Sequence, residues 1–124
     1  MAQLARSHDG RRITRLEELA QREAVSANFL VQILNDLRRA GLVESRRGKS
    51  GGYLLSRKPE TIHLREIVDA VEPSLVAFST HTDGESGPAV RAAWERVGQG
   101  LRNSLEEIDL RQLTVKGDEP MFYI

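Results

Sequence analysis

The chain has 124 residues, 40% apolar and 29% charged, with equal numbers of cations and anions and no cysteine. These proportions suit one compact soluble domain with an added element and exclude a disordered chain. With no cysteine, disulfides, thiolate metal sites, iron–sulfur ligation by thiolate and a cysteine nucleophile are excluded.

No apolar run nears the roughly 18 residues a membrane span needs, and the N-terminus has no long apolar signal region. A cytoplasmic protein without a membrane partner is expected. The neutral total hides an uneven distribution. Residues 38–58 hold seven cations (Arg38, Arg39, Arg46, Arg47, Lys49, Arg57, Lys58) against Glu44 alone, a balance of +6. Residues 59–124 hold six cations and twelve anions, a balance of −6. For a polyanionic partner, a concentrated basic patch matters more than the total.

In chain order, residues 1–8 read as the end of a helix stopped by Asp9-Gly10, so a chain that starts late is expected. Thr14-Arg15-Leu16-Glu17 has the spacing of a capping box, opening a short helix to about Arg22 that buries Leu16, Leu19 and Ala20. Ala24-Val25-Ser26 is a break, with Ser26 as N-cap of a helix from Ala27 to Ala40 and Gly41 at C′. Leu30, Ile33, Leu34 and Leu37 share one face of it. Asn28, Gln32, Asn35 and Arg39 share the other. Two helices on a three-residue turn form a helix-turn-helix candidate, and Asn and Gln on the outer face suit base edges.

Next comes a hairpin pattern: Leu42-Val43 and Tyr53-Leu54-Leu55 around a tip carrying Arg46, Arg47 and Lys49. Gly48, Gly51 and Gly52 are expected to supply positive φ there. A helix over 62–71 follows, with His63 structural near its N-cap and Pro73 as its stop. Residues 77–87 read as a polar loop. His81, Asp83 and Glu85 within it are weak metal donors, and no metal site is assigned.

Pro88 opens a helix predicted to reach Ile108, about 31 Å long. Val90, Trp94, Val97, Leu101, Leu105 and Ile108 follow near-heptad steps, the pattern of a seam that pairs with a second chain. Asp109 is expected to cap one more turn through Leu113, and Met121–Ile124 forms an apolar end.

No nucleophile elbow, P-loop, dinucleotide fingerprint or His-Glu-x-x-His is present, and the three histidines lie in separate elements, so no enzyme is expected.

The runs Leu16–Ala20, Val25–Leu34 and Leu37–Val43, then Arg47-Gly48-Lys49-Ser50-Gly51-Gly52-Tyr53-Leu54-Leu55 and Ile62–Glu72, resemble the Rrf-two (IscR/NsrR/CymR-like) family of bacterial transcriptional regulators. The resemblance covers most of the chain, and the glycine-rich wing motif is its most specific part. It implies a mainly α fold with a small β-hairpin: a winged helix-turn-helix domain (1–75), a loop (76–87), a dimerisation helix (88–113) and a tail (114–124). It also implies a homodimeric DNA-binding regulator, a repressor in many members, with the second motif helix in the major groove and the wing in the flanking minor groove. The expected DNA contacts are Ser26, Asn28, Phe29, Gln32, Arg39, Arg46, Arg47, Lys49, Ser50 and Tyr53. The expected partners are a double-stranded operator, a second copy, and an unidentified small-molecule or protein effector. A winged-helix interaction or sensor module that has lost strong DNA binding is the alternative.

The chain departs from the family pattern in three ways. The loop before the long helix lacks the family's clustered cysteines, and Arg91 stands where some members have a histidine ligand, so no iron–sulfur cofactor is carried over. Val31 replaces an acidic residue before Gln32, which points to a different operator preference. The front of the first helix is expected to be missing.

Overall fold

The computed structural model describes residues 1–75 and 83–114. Five helices and one hairpin occur in the order α1 (Ala2–Arg6), α2 (Leu16–Glu23), α3 (Ala27–Arg39), β1 (Val43–Arg46), β2 (Gly52–Leu55), α4 (Leu64–Val71) and α5 (Gly87–Glu107), with short 3-10 turns after β2, α4 and α5. Gly10 ends the α1 segment with φ +83°.

The α2–α3 pair forms as its sequence predicts, apart from its first cap. Ser26 caps α3 by accepting the Phe29 amide at 3.1 Å. Ala24 takes the left-handed conformation that reverses the chain between the two helices, and Gly41 ends α3 with φ +77°. Thr14, however, caps nothing. The N-cap of α2 is Arg15, without a side-chain bond. Thr14 is instead buried as a one-residue third strand: its amide donates to the Tyr53 carbonyl at 2.9 Å, and the Tyr53 amide donates back at 2.8 Å. A tertiary pairing that satisfies both backbone groups of Thr14 displaces the local capping geometry.

β1 and β2 pair antiparallel with Val43 opposite Leu55 and Arg46 opposite Gly52. The three tip glycines have two different reasons to be glycine. Gly48 has φ +109°, the conformation expected of it. Gly51 and Gly52 do not have positive φ and are needed for space. A Cβ on Gly51 would lie 2.4 Å from the Arg46 carbonyl oxygen, and one on Gly52 only 2.3 Å from that of Thr14. The glycine pair therefore records how closely the backbone passes itself at the tip and passes the Thr14 segment.

α4 starts two residues later than the predicted 62–71 helix, because Ile62 and His63 pair with residues 108–110, just after α5. The Leu64 amide donates to the Ile108 carbonyl (2.8 Å) and the Leu110 amide to that of Ile62 (2.9 Å). Ile62 and Leu110, both fully buried, join Leu4, Leu19, Leu34, Leu37, Leu42, Val43 and Leu55 in one core. Each such side chain contributes about 1.5–3 kcal/mol on burial. Asp109 does cap the last turn: its carboxylate accepts the Gln112 amide, and the Gln112 side chain accepts the Asp109 amide. His63 is structural, its amide donating to Glu66 at 2.9 Å.

The two halves of α5 differ in burial. Gly98 and Leu105 are buried within the chain, and Leu101 and Ile108 are half-buried. Val90, Trp94 and Val97 are 42%, 43% and 54% exposed. The predicted seam of six is therefore not uniform: Leu105 is already covered within its own chain, where α5 packs on α4. His81 and the Met121–Ile124 end lie outside the described residues.

Candidate nucleic-acid interface

α3 presents Asn28, Gln32 and Arg39 on its exposed face, opposite the buried Leu34 and Leu37. Amphipathic spacing alone produces this: residues one turn apart share a face, so burying one stripe turns the polar stripe outward. Arg39 pairs with Asp36 at 3.2 Å, which leaves Asn28 and Gln32 as the neutral polar groups of the face. Both carry donors and acceptors in the amide geometry that fits adenine. Ser26 uses an oxygen lone pair for the cap, and its hydroxyl retains a proton to donate. Phe29, 55% exposed, stands beside Asn28, its other edge lining an apolar cavity of about 260 Å³ with Leu30 and Ile33.

The hairpin carries its cations differently along its length. Arg46 sits on β1 and pairs with Glu44 at 3.0 Å. Arg47, Lys49 and Ser50 lie at the exposed tip, and neither Arg47 nor Lys49 forms an ion pair among the described residues. Tyr53 is half-buried, packs against the core and pairs its backbone with Thr14.

Three contacts seat the hairpin on the helices. The Thr14–Tyr53 pair joins β2 to the segment before α2. Arg38 Nη1 donates to Ser45 Oγ at 3.3 Å, tying α3 to β1. Arg15 Nη2 donates to the Lys49 carbonyl, tying the start of α2 to the tip. Neither the Thr14 nor the Arg15 contact has a signal in the sequence, because a pairing between residues so far apart along the chain leaves no local pattern. Asp9 holds the turn leading to this segment, accepting the Arg11 and Arg12 amides at 2.7 and 2.5 Å. Those bonds, Arg11's first, hold its carboxyl below the usual carboxylate range.

A recognition-type helix, a cationic hairpin tip and a shared scaffold between them constitute a winged helix-turn-helix. Residues 1–116 match the model of Rrf2, described as an iron-dependent transcriptional regulator. The chain belongs to the Rrf2 family. Among its relatives, the HTH-type transcriptional regulator CymR of Bacillus subtilis (strain 168) is 34% identical over 128 residues, covering 100% of this chain and 91% of CymR. The HTH-type transcriptional regulator IscR of Cereibacter sphaeroides is 39% identical over 95 residues, covering 74% of this chain and 61% of that IscR. The solved structure of B. subtilis CymR, described as that organism's global cysteine regulator, superposes with a TM-score of 0.77 over 91% of this chain and 85% of that one, at 34% identity. That of T. potens IscR gives 0.69 over 89% and 74%, also at 34% identity. This Rrf2-family protein is thus a transcriptional regulator of winged-helix fold, and its homologues are regulators, not enzymes.

The family description names iron, and the donors of this chain do not fit a thiolate-held iron centre. It has no cysteine. Among the described residues no three of His, Asp and Glu are grouped to hold a metal ion. Asp83, Glu85 and the α5 cation Arg91 are all exposed. Among the described residues no helix is long and apolar enough to cross a membrane.

Proposed function

We propose that this chain acts in the cytoplasm as a homodimer on a two-fold operator in double-stranded DNA, and represses transcription from it. Asn28 and Gln32 read base edges in the major groove, Ser26 and the first turn of α3 hold a phosphate, and Arg47 and Lys49 enter the flanking groove. The observation that supports this most is the joint one: the exposed polar face of α3 and two tip cations without ion pairs among the described residues stand on elements tied together by Arg38, Thr14 and Arg15. A solvated surface does not need its loops fastened in this way.

The second copy covers the outer half of α5. Val90, Trp94 and Val97 form an exposed apolar stripe on a 21-residue helix whose far end is fastened to the core by Leu105 and by the Ile62–Leu110 pairing. A two-fold related helix laid on that stripe buries it and sets the two α3 helices to successive half-sites. The unequal use of the predicted seam supports this arrangement. The inner half grips the domain, and the outer half is left for a partner.

Selection of bound duplexes from a random pool tests the proposal. A palindromic consensus whose binding weakens steeply as salt rises is the expected result, because counterions are released from each neutralised phosphate. Failure to enrich any sequence, with weak binding indifferent to salt, overturns it in favour of a protein-interaction module.

A further inference from the structure

We propose that Arg15 is a positioning residue for the wing, holding the tip in register with α3 so that Arg47 and Lys49 reach DNA together with Asn28 and Gln32. The inference rests on the DNA-binding reading above. Its starting point is that the hairpin is short. β1 and β2 have four residues each, and the tip between them, residues 47–51, extends past the last paired residues Arg46 and Gly52. A two-stranded hairpin of this length is marginal on its own and needs an outside contact to hold its direction.

The outside contact is the segment before α2. Thr14 pairs with Tyr53, and in the antiparallel sense of that bridge the next residue, Arg15, advances along β2 toward the tip. Its guanidinium then spans the remaining gap to the Lys49 carbonyl. The Gly48 carbonyl is taken by the Gly51 amide at 3.0 Å, which closes the tip locally, so the Arg15 bond fixes a tip that already has a defined shape. Arg15 is also the N-cap residue of α2, the first helix of the motif. One residue therefore joins the wing tip to the first helix of the motif. Its cap position carries no side-chain bond, which releases the side chain for the wing.

A guanidinium here could alternatively be a plain phosphate contact. The two roles differ in coupling. A phosphate contact adds independently to Arg47, whereas a residue acting through the wing contributes only while the wing's own cations are present.

The test uses the full chain and a duplex that the wild-type chain selects from a random pool. Arg15→Ala, Arg47→Ala and the double variant are titrated by gel shift at several salt concentrations, and amide hydrogen exchange is followed at residues 48–51 in the free protein. Thermal melts establish that each variant folds. Expected are a loss of affinity of about five- to tenfold in Arg15→Ala, a clearly smaller further loss when it is added to Arg47→Ala, where Lys49 alone of the two tip cations remains, and faster exchange at the tip. Independent addition of the two losses, with the salt slope reduced by about one, overturns the proposal in favour of a phosphate contact. Unchanged affinity and exchange in Arg15→Ala overturn it outright. If the wild-type chain selects no DNA, the DNA-binding reading falls, and the exchange arm shows whether Arg15 is merely a fold contact.

Discussion

Gly52→Ala isolates the join between the wing and the helices. The new methyl would lie 2.3 Å from the Thr14 carbonyl oxygen and 2.7 Å from its carbonyl carbon, both backbone atoms that cannot rotate away. Relief requires β2 and the Thr14 segment to separate, which breaks the paired bonds of 2.9 and 2.8 Å between Thr14 and Tyr53. Each is worth about 1 kcal/mol net, and leaving the buried Thr14 backbone unsatisfied costs about 1–3 kcal/mol more. A loss of about 3–5 kcal/mol follows, lowering Tm by roughly 10–20 °C for a chain of this size. The control is Gly100→Ala. That glycine sits on α5 with nothing within 4 Å of its Cβ position, so relief of backbone entropy should stabilise by up to about 1 kcal/mol. Circular dichroism melts and urea titrations of both variants make the comparison. A Gly52→Ala melt that coincides with wild type would refute the reasoning that space, and not conformational freedom, makes this position glycine.

Four other outcomes are expected. Arg47→Ala weakens operator binding by about 1–3 kcal/mol if the side chain reads a base or a narrow minor groove, with an unchanged melting temperature; gel-shift titration beside a thermal melt separates the two. Ser26→Ala removes the cap that accepts the Phe29 amide and costs about 1 kcal/mol, read by urea unfolding. Val97→Glu places a charge on the exposed stripe of α5, and sedimentation should show a monomer that keeps the wild-type helical signal. Glu66 gives an acid limb to stability. Burial works against its charge, but the His63 amide and the Arg57 guanidinium outweigh that and hold its carboxyl below the ordinary 4.5. A depressed carboxyl binds fewer protons folded than unfolded. Its stabilisation is therefore full above the ordinary value and is lost as pH falls through the folded one. Glu66→Gln should flatten that part of the stability profile, as acid titration of the melting temperature would reveal.

The fold was legible wherever the determining interaction is local. Helical period, Ser26 as cap, Gly41 as stop and the glycine-rich tip all act within a few residues, so α2, α3, the hairpin and α5 could be placed before any contact was known. The polar face of α3 was legible for the same reason, since the buried stripe dictates its opposite. Reading failed where a distant partner claimed a residue that had a good local use. Thr14 was matched to a capping box but bonds Tyr53; Gly51 and Gly52 were assigned positive φ but make room for backbone.

What the sequence determined by itself is therefore the family, the order of the elements and the chemistry on offer: a basic wing, an Asn/Gln helix face, an apolar stripe and no thiolate. Tertiary structure decided which of these groups are used up internally. It paired Arg46 with Glu44 and left Arg47 and Lys49 without ion pairs among the described residues, it buried Leu105 and exposed Val97, and it drew Arg15 across 34 positions to the wing tip. The physical reason is that periodicity and capping are properties of neighbours along the chain. Exposure and pairing depend on which segments fold against one another.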